Sequence, residues 1–448
     1  MQRTYFALNR ALRLLLAAFV CVSSGALWTA RAQSIDPLER ARANDMLKVL
    51  KDDIKKNYYD AGYHGMDVDA RFKTAEEKLK QANSLGQAFG IIAQALLDLD
   101  DSHTFFLPPP RPGSLEYGWR MQMIGDKCFV TAIKPGSDAE KKGLKVGDEV
   151  LAINKFRPTR KEYWKMEYYY YALAPQPVLN LVVQSPDGQQ REVAVNANVK
   201  QGKAVLNLTG TDGGTDINDY IREIEDSDRL QRHRFEEFGG AIVWRMPGFD
   251  FEPDQVEAIM SGRIKGHSTL ILDLRGNQGG YVVTLERLAG YFFDHDLKIA
   301  DLKGRKEMKP MMAKTRGKGI FDGKLIVLVD SKSASAAEIF ARLVQLEKRG
   351  VVIGDRTSGA VMQARSVSHE MGFTTVVNYG ASITNADVLM SDGKSVEHVG
   401  VIPDELMLLT GDDLAAHRDP VIARAAALVG INLDPAKAGL FFPIEWKK

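Results

Sequence analysis

Cysteine is nearly absent from this chain, with two in 448 residues. Cys21 lies in the leading segment and Cys128 sits in a strand-like run, Lys127-Cys128-Phe129-Val130, which leaves no internal disulfide, no cysteine-rich metal site and little case for thiol chemistry. An excess of one charge is also lacking: 59 Lys and Arg face 58 Asp and Glu, so nothing marks a nucleic-acid partner. Long apolar runs are missing as well, and no segment reaches the roughly 20 residues of a bilayer span. The nearest candidate, residues 14–22, follows Arg3, Arg10 and Arg13 and precedes the small-x-small pattern Ala30-Arg31-Ala32. Residues 1–32 are therefore expected to be a secretory signal peptide cleaved near Ala32, with an uncleaved anchor as the alternative. The mature chain is expected to be exported, periplasmic or secreted, without a stable membrane span. Loss of the segment removes four arginines and no acid, which takes the formal net charge from +1 to −3.

What is present fits a globular protein of two or three domains, with 45% hydrophobic and 26% charged residues. Residues 33–110 show helical spacing in 41–59 and 74–99, and end in Asp101-Ser102-His103-Thr104 just before the helix-breaking Pro108-Pro109-Pro110. Ser102 and His103 thus belong on a turn. Residues 115–199 change to short β runs, such as 128–133 and 178–183, separated by Gly and Pro turns. From 200 to 448 strands alternate with helices, at 241–246, 252–263, 269–274, 283–292, 325–329 and 336–347, which implies a largely parallel α/β layer. Residues 303–318 carry seven basic residues and one acid and read as a solvated loop; residues 209–219 lack EF-hand spacing and read as a loop too.

The segment Leu325-Ile326-Val327-Leu328-Val329-Asp330-Ser331-Lys332-Ser333-Ala334-Ser335-Ala336-Ala337-Glu338 is the most informative. An apolar strand ends in small residues and a helix starts at once. A serine there meets unpaired helix N–H groups that stabilise developing negative charge, although Ser331, Ser333 and Ser335 would equally serve as plain helix caps. A second strand, residues 270–274, runs into Arg275-Gly276-Asn277-Gln278-Gly279-Gly280, whose paired glycines free backbone N–H groups where sites in open α/β sheets gather. With Ala336 N–H, Gly279 and Gly280 are the candidates for an oxyanion hole.

Gly143-Leu144-Lys145-Val146-Gly147-Asp148-Glu149-Val150-Leu151-Ala152-Ile153-Asn154 closely resembles the signature segment of PDZ domains. That resemblance implies a module at 115–199 that takes an extended peptide as an added strand, with Tyr117-Gly118-Trp119-Arg120-Met121 as its carboxylate loop, in a form that departs from the usual Gly-Leu-Gly-Phe. The aromatic run at 163–171 is either a packed amphipathic helix or a peptide-gripping surface. Together with 272–280, 333–338, Asp101-Ser102-His103 and Val396-Glu397-His398-Val399-Gly400, the whole pattern resembles the carboxyl-terminal processing (tail-specific) proteases and the tricorn core protease. The resemblance implies a crotonase-like ββα serine protease core behind the PDZ module and a small helical N-terminal region. It assigns Ser335 as nucleophile.

In the processing branch of that family a lysine follows the Gly-x-x-Thr-x-Gly turn, but here Gly354-Asp355-Arg356-Thr357-Ser358-Gly359 is followed by Ala360. The resemblance to the lysine-less, tricorn-like branch then implies His103 as general base, Ser102 as its orienter and Glu397 behind Ser102. His369, His398 and Lys332 are the rival bases, and Gln363 is a remnant of the lysine-orienting position. The function implied is an exported serine endopeptidase acting on a polypeptide, with neither metal nor organic cofactor. The alternative is a catalytically silent PDZ-containing peptide-binding protein.

Overall fold

The computed structural model describes residues 35–111, 113–201, 226, 229–372 and 376–447. The expected signal segment, 1–32, and the segment 209–219, expected as a loop, lie outside the described residues.

Helices come first: α1 (Pro37–Asn57), α2 (Val68–Lys80) and α3 (Leu85–Leu97). Asp36 and Glu39 close a capping box around the start of α1, and Lys55 and Lys56 oppose the dipole at its end. The single helix expected over 74–99 is two, because Ser84 accepts the Gln87 N–H and starts a new one. Strand β1 (Phe105–Leu107) follows the Ser102-His103 turn.

The next module holds β2 (Gly113–Glu116), β3 (Trp119–Ile124), β4 (Lys127–Ile133), β5 (Glu149–Ile153), α4 (Tyr163–Tyr168), β6 (Val178–Gln184), β7 (Gln190–Asn196) and β8 (Asn198–Gln201). Strands β3 to β7 form one antiparallel sheet in sequence order, with β3 at its edge, and β2 pairs with β8. Alternation puts Trp119, Met121 and Met123 inside and Arg120 outside. Cys128 is buried here and free.

The remainder contains β9 (Arg234–Phe238), β10 (Ala241–Arg245), α5 (Pro253–Ile259), β11 (Thr269–Asp273), α6 (Val282–Ala289), β12 (Leu297–Lys303), β13 (Met311–Ala313), β14 (Lys324–Val329), α7 (Ala336–Leu346), β15 (Val351–Gly354), β16 (Met362–Met371), β17 (Val377–Met390), β18 (Glu405–Leu406) and α8 (Pro420–Leu428). A six-stranded sheet runs β18-β15-β14-β11-β10-β9, parallel except for β9. Strand β11 is buried at every position, as expected of a parallel strand covered on both faces. A second sheet, β1-β17-β12-β13 with β16 on β17, is antiparallel and was not foreseen. It joins the helical region to the rest: Tyr379, Ala381 and Ile383 of β17 share one apolar cluster with Leu47, Phe72, Phe89 and Ile92. The basic segment 303–318 is not all loop, since β13 lies inside it, and Lys314 and Arg316 pair with Asp296 and Glu257. Among the described residues no helix is long and apolar enough to cross a membrane.

Candidate active site

Strands β11 and β14 are parallel neighbours, Asp273 opposite Leu328, so the turns leaving both emerge side by side. Asn277 locks them together: its carbonyl accepts Ala334 N–H at 2.9 Å and its side-chain amide donates to Met246 O at 3.1 Å. Gly279, at φ +94°, then lies against Ser335. A Cβ there would stand 2.6 Å from Ser335 Cβ, so the close approach requires glycine.

The three serines of the turn differ in what their hydroxyls meet. Ser333 is fully buried and donates to Leu274 O at 2.8 Å, and Ser331 donates to Met123 O of β3. Both are structural. Ser335 is half-buried and lines a cleft of about 830 Å³ whose walls include Ser102, His103, Gln278, Lys332, Ala360 and His398. Its backbone sits at φ 55°, ψ −121°, a conformation that costs a non-glycine residue about 1–3 kcal/mol and is held only because the surroundings over-determine it. The restraints are visible: Ser335 N–H donates to Ala360 O at 2.8 Å and to Glu338 Oε2 at 3.2 Å.

Across the cleft, Asp101 builds the other wall. Its Oδ1 accepts His103 N–H at 2.9 Å, Thr104 N–H at 2.7 Å and the Thr384 hydroxyl at 2.6 Å. The buried Tyr58 hydroxyl lies against the same carboxyl, and burial together with Asp101 pushes that phenol's pKa upward. Glu397 reaches in from 295 residues away: it accepts Ser102 N–H at 2.7 Å, Ser102 Oγ at 2.9 Å and Val361 N–H at 2.6 Å. Burial pushes its carboxyl upward and these three donors oppose the shift.

The proton order follows from this chain. Ser102 has one hydroxyl proton and gives it to Glu397, so at 2.7 Å it can only accept from His103, which must carry its proton on Nδ1. Nε2 is then a lone pair. Burial holds the imidazole below its usual 6.5, against an opposing pull from Asp101, so it is neutral at neutral pH and able to take a proton.

Each rival base has another partner. His369 pairs with Asp53 of α1 at 2.6 Å and does not line the cleft. His398 does line it, but its Nε2 is 2.9 Å from Asp100 O. Lys332 turns to Glu167, 3.6 Å away, and lies over the Tyr163 ring. Gln363 Oε1 is buried without a partner among the described residues.

One expectation needs correction. Gly279 does not offer a free N–H, because that group donates to Asn277 Oδ1 at 2.9 Å; Gly280 N–H and Ala336 N–H lack an acceptor among the described residues. Residues 117–121, the expected carboxylate loop, turn at 117–118 and enter β3 at Trp119. Tyr117, Trp119 and Met121 are buried, Gly118 turns at φ +72° over Ser137, and Arg120 reaches the C-terminal segment, donating to Glu445 O at 2.9 Å under the Trp446 ring. The carbonyls of Met121 and Met123 are taken by the hydroxyls of Tyr163 and Ser331. Of the aromatic run, Tyr163 and Tyr170 are buried, whereas Tyr169 and Tyr171 are exposed. Asp101, Asn277, Thr384 and Glu338 were not given roles from sequence. Glu338 alone left a local signal, as the fourth residue of Ser335-Ala336-Ala337-Glu338, a capping-box pattern.

A serine on a strained turn at a helix start, set in a mixed α/β fold across a cleft from a neutral histidine, is the arrangement of a serine-type peptidase. Residues 243–407 match the model of peptidase family S41. Among curated proteins it is 24% identical over 343 residues to carboxyl-terminal-processing peptidase 1, chloroplastic, of Arabidopsis thaliana, covering 74% of this chain and 65% of that one. It is 25% identical over 291 residues to the tail-specific protease of Haemophilus influenzae, covering 60% and 38%. The chain thus spans less than two thirds of the length of these two relatives. A solved structure of mature CPAF matches with a TM-score of 0.61 at 16% identity, over 84% of this chain and 94% of that one, and so shares the fold. Among the described residues no group of three or more His, Cys, Asp or Glu side chains is disposed to hold a metal ion.

Proposed function

We propose that the protein is an exported serine endopeptidase of the tail-specific kind, in its lysine-less, tricorn-like form. Ser335 attacks a peptide carbonyl, His103 Nε2 takes the hydroxyl proton and returns it to the leaving amine, and water then hydrolyses the acyl-enzyme. Ser102 orients His103, Glu397 holds Ser102, and Ala336 N–H with Gly280 N–H faces the oxyanion. The PDZ-like module at 115–199 positions the polypeptide, by its C-terminus where one is available. The observation that carries this reading is the hydrogen-bonded chain Glu397, Ser102, His103, whose histidine lines the same cleft as Ser335. The second reading, a peptide-binding protein without turnover, draws on the engaged Gly279 N–H and the covered carbonyls of β3.

The test is a fluorophosphonate probe on the mature protein, read by intact mass. Wild type should gain one adduct, and Ser335→Ala and His103→Ala none. An adduct that survives in His103→Ala would remove the histidine from the mechanism. Wild type that stays unlabelled, even with unfolded polypeptide added, would favour the binding protein.

A further inference from the structure

Glu338 has no part in the reaction just described, yet its side chain is fully buried beside the nucleophile. Four groups converge on it. Oε1 accepts the Thr357 hydroxyl at 2.5 Å and Gly359 N–H at 2.8 Å; Oε2 accepts Ala360 N–H at 2.9 Å and Ser335 N–H at 3.2 Å. The Thr357 hydroxyl itself accepts Val401 N–H at 2.6 Å, so its proton points to Glu338. All four contacts are donors, a set that suits a carboxylate and gives an amide nowhere to put its NH2 group. Burial pushes this carboxyl up to about 7 while the donors pull it down. A residue needed only for packing would be apolar, since an enclosed carboxylate is costly.

The next N–H along the loop belongs to Val361, and it goes to Glu397. Three successive backbone donors, at 359, 360 and 361, are therefore shared between two carboxylates. One is rooted in α7, which begins at the nucleophile; the other holds Ser102 behind the base. Loop 357–361 is the piece common to both walls of the cleft.

We propose that Glu338 is a positioning residue: by gripping loop 357–361 it sets Ser335 at the working distance from His103. The proposal rests on the serine peptidase reading above. An amide at 338 sets a donor against donors, loosens the loop from the nucleophile's turn and uncouples proton transfer, with the substrate-binding surface left as it was.

The experiment measures the rate constant of fluorophosphonate labelling at Ser335 against pH, per folded molecule, in wild type and Glu338→Gln. The variant should label on the order of 10- to 100-fold more slowly, the range for a lost hydrogen bond to a charged group. The wild-type plateau at neutral pH should give way to a rate that keeps rising with pH, because hydroxide must replace the displaced base. Unchanged rate and profile would overturn the proposal. Should Glu338→Gln not fold, Thr357→Val removes one donor and should slow labelling with the same change of profile, while Thr357→Ser restores it; equal rates in those two would overturn it as well. Wild type that does not label overturns the peptidase reading and this one with it, whereas wild type and Glu338→Gln labelling alike overturns this one alone.

Discussion

The two walls of the cleft are built in opposite ways. The Ser335 wall is local: β14, one strained residue and α7 follow each other within residues 324–346, and Asn277 and Gly279 brace them from the next strand. The His103 wall is assembled from afar, with Asp101 held by Thr384, Ser102 by Glu397 and the turn backed by Tyr58. The first stores backbone strain in a rigid strand-to-helix corner. The second is a polar relay in which each member is satisfied only if the others are in place. Damage to the first that leaves the Glu338 grip on loop 357–361 intact should therefore change how fast Ser335 reacts without moving the pH at which it does, and damage to the second, or to the loop common to both, should alter the pH profile itself.

Predictions follow that difference, from the largest effect down. His103→Ala should lower peptide turnover on the order of 10⁴- to 10⁶-fold, as removal of a triad base does, with folding retained by circular dichroism. Retention of most activity would move the base elsewhere. Glu397→Gln should cost about 10²- to 10⁴-fold, because an amide facing three donors misorients Ser102 and frees the imidazole tautomer. A drop under threefold would reduce Glu397 to a buried structural acid. Gly279→Ala places a methyl 2.6 Å from Ser335 Cβ and should lower kcat at least about tenfold with an unmoved pH midpoint. A shifted midpoint there would erase the distinction between the walls. Ser102→Ala deletes one relay and should cost about 10-fold with a changed pH midpoint. Cys128 lies on neither wall; burial lifts its thiol to about 12, so iodoacetamide should leave Cys128 unmodified in the native protein and alkylate it in urea.

The same contrast explains what could be read from the sequence. The strand-to-helix corner was legible because its signals are adjacent: an apolar run, small residues, then helical spacing from Ala336. The parallel order of β10, β11 and β14 followed from strands alternating with helices. On the base side, His103, Ser102 and Glu397 came only through resemblance, since nothing in their neighbourhoods announces a contact across 295 residues. Asp101 and Thr384 were invisible for that reason. The second sheet escaped because β16 alternates only over Ser366–Met371, between exposed and half-buried positions, and is fully buried at Met362 alone. The Gly279 N–H was misjudged because a Gly-Gly pair shows where backbone groups are accessible, not that Asn277, two residues earlier, has claimed one of them.

The central claim is that a neutral His103, held with its proton on Nδ1, activates Ser335. The most direct test is the pH dependence of fluorophosphonate labelling of wild type between pH 4 and pH 10. A histidine held below its ordinary 6.5 must lose its proton to act, so the rate should rise through a midpoint below that value and stay level above it. A rate that remains flat and low through pH 7 and climbs only near the lysine range, about 9 to 10, would contradict the account and return the base to Lys332.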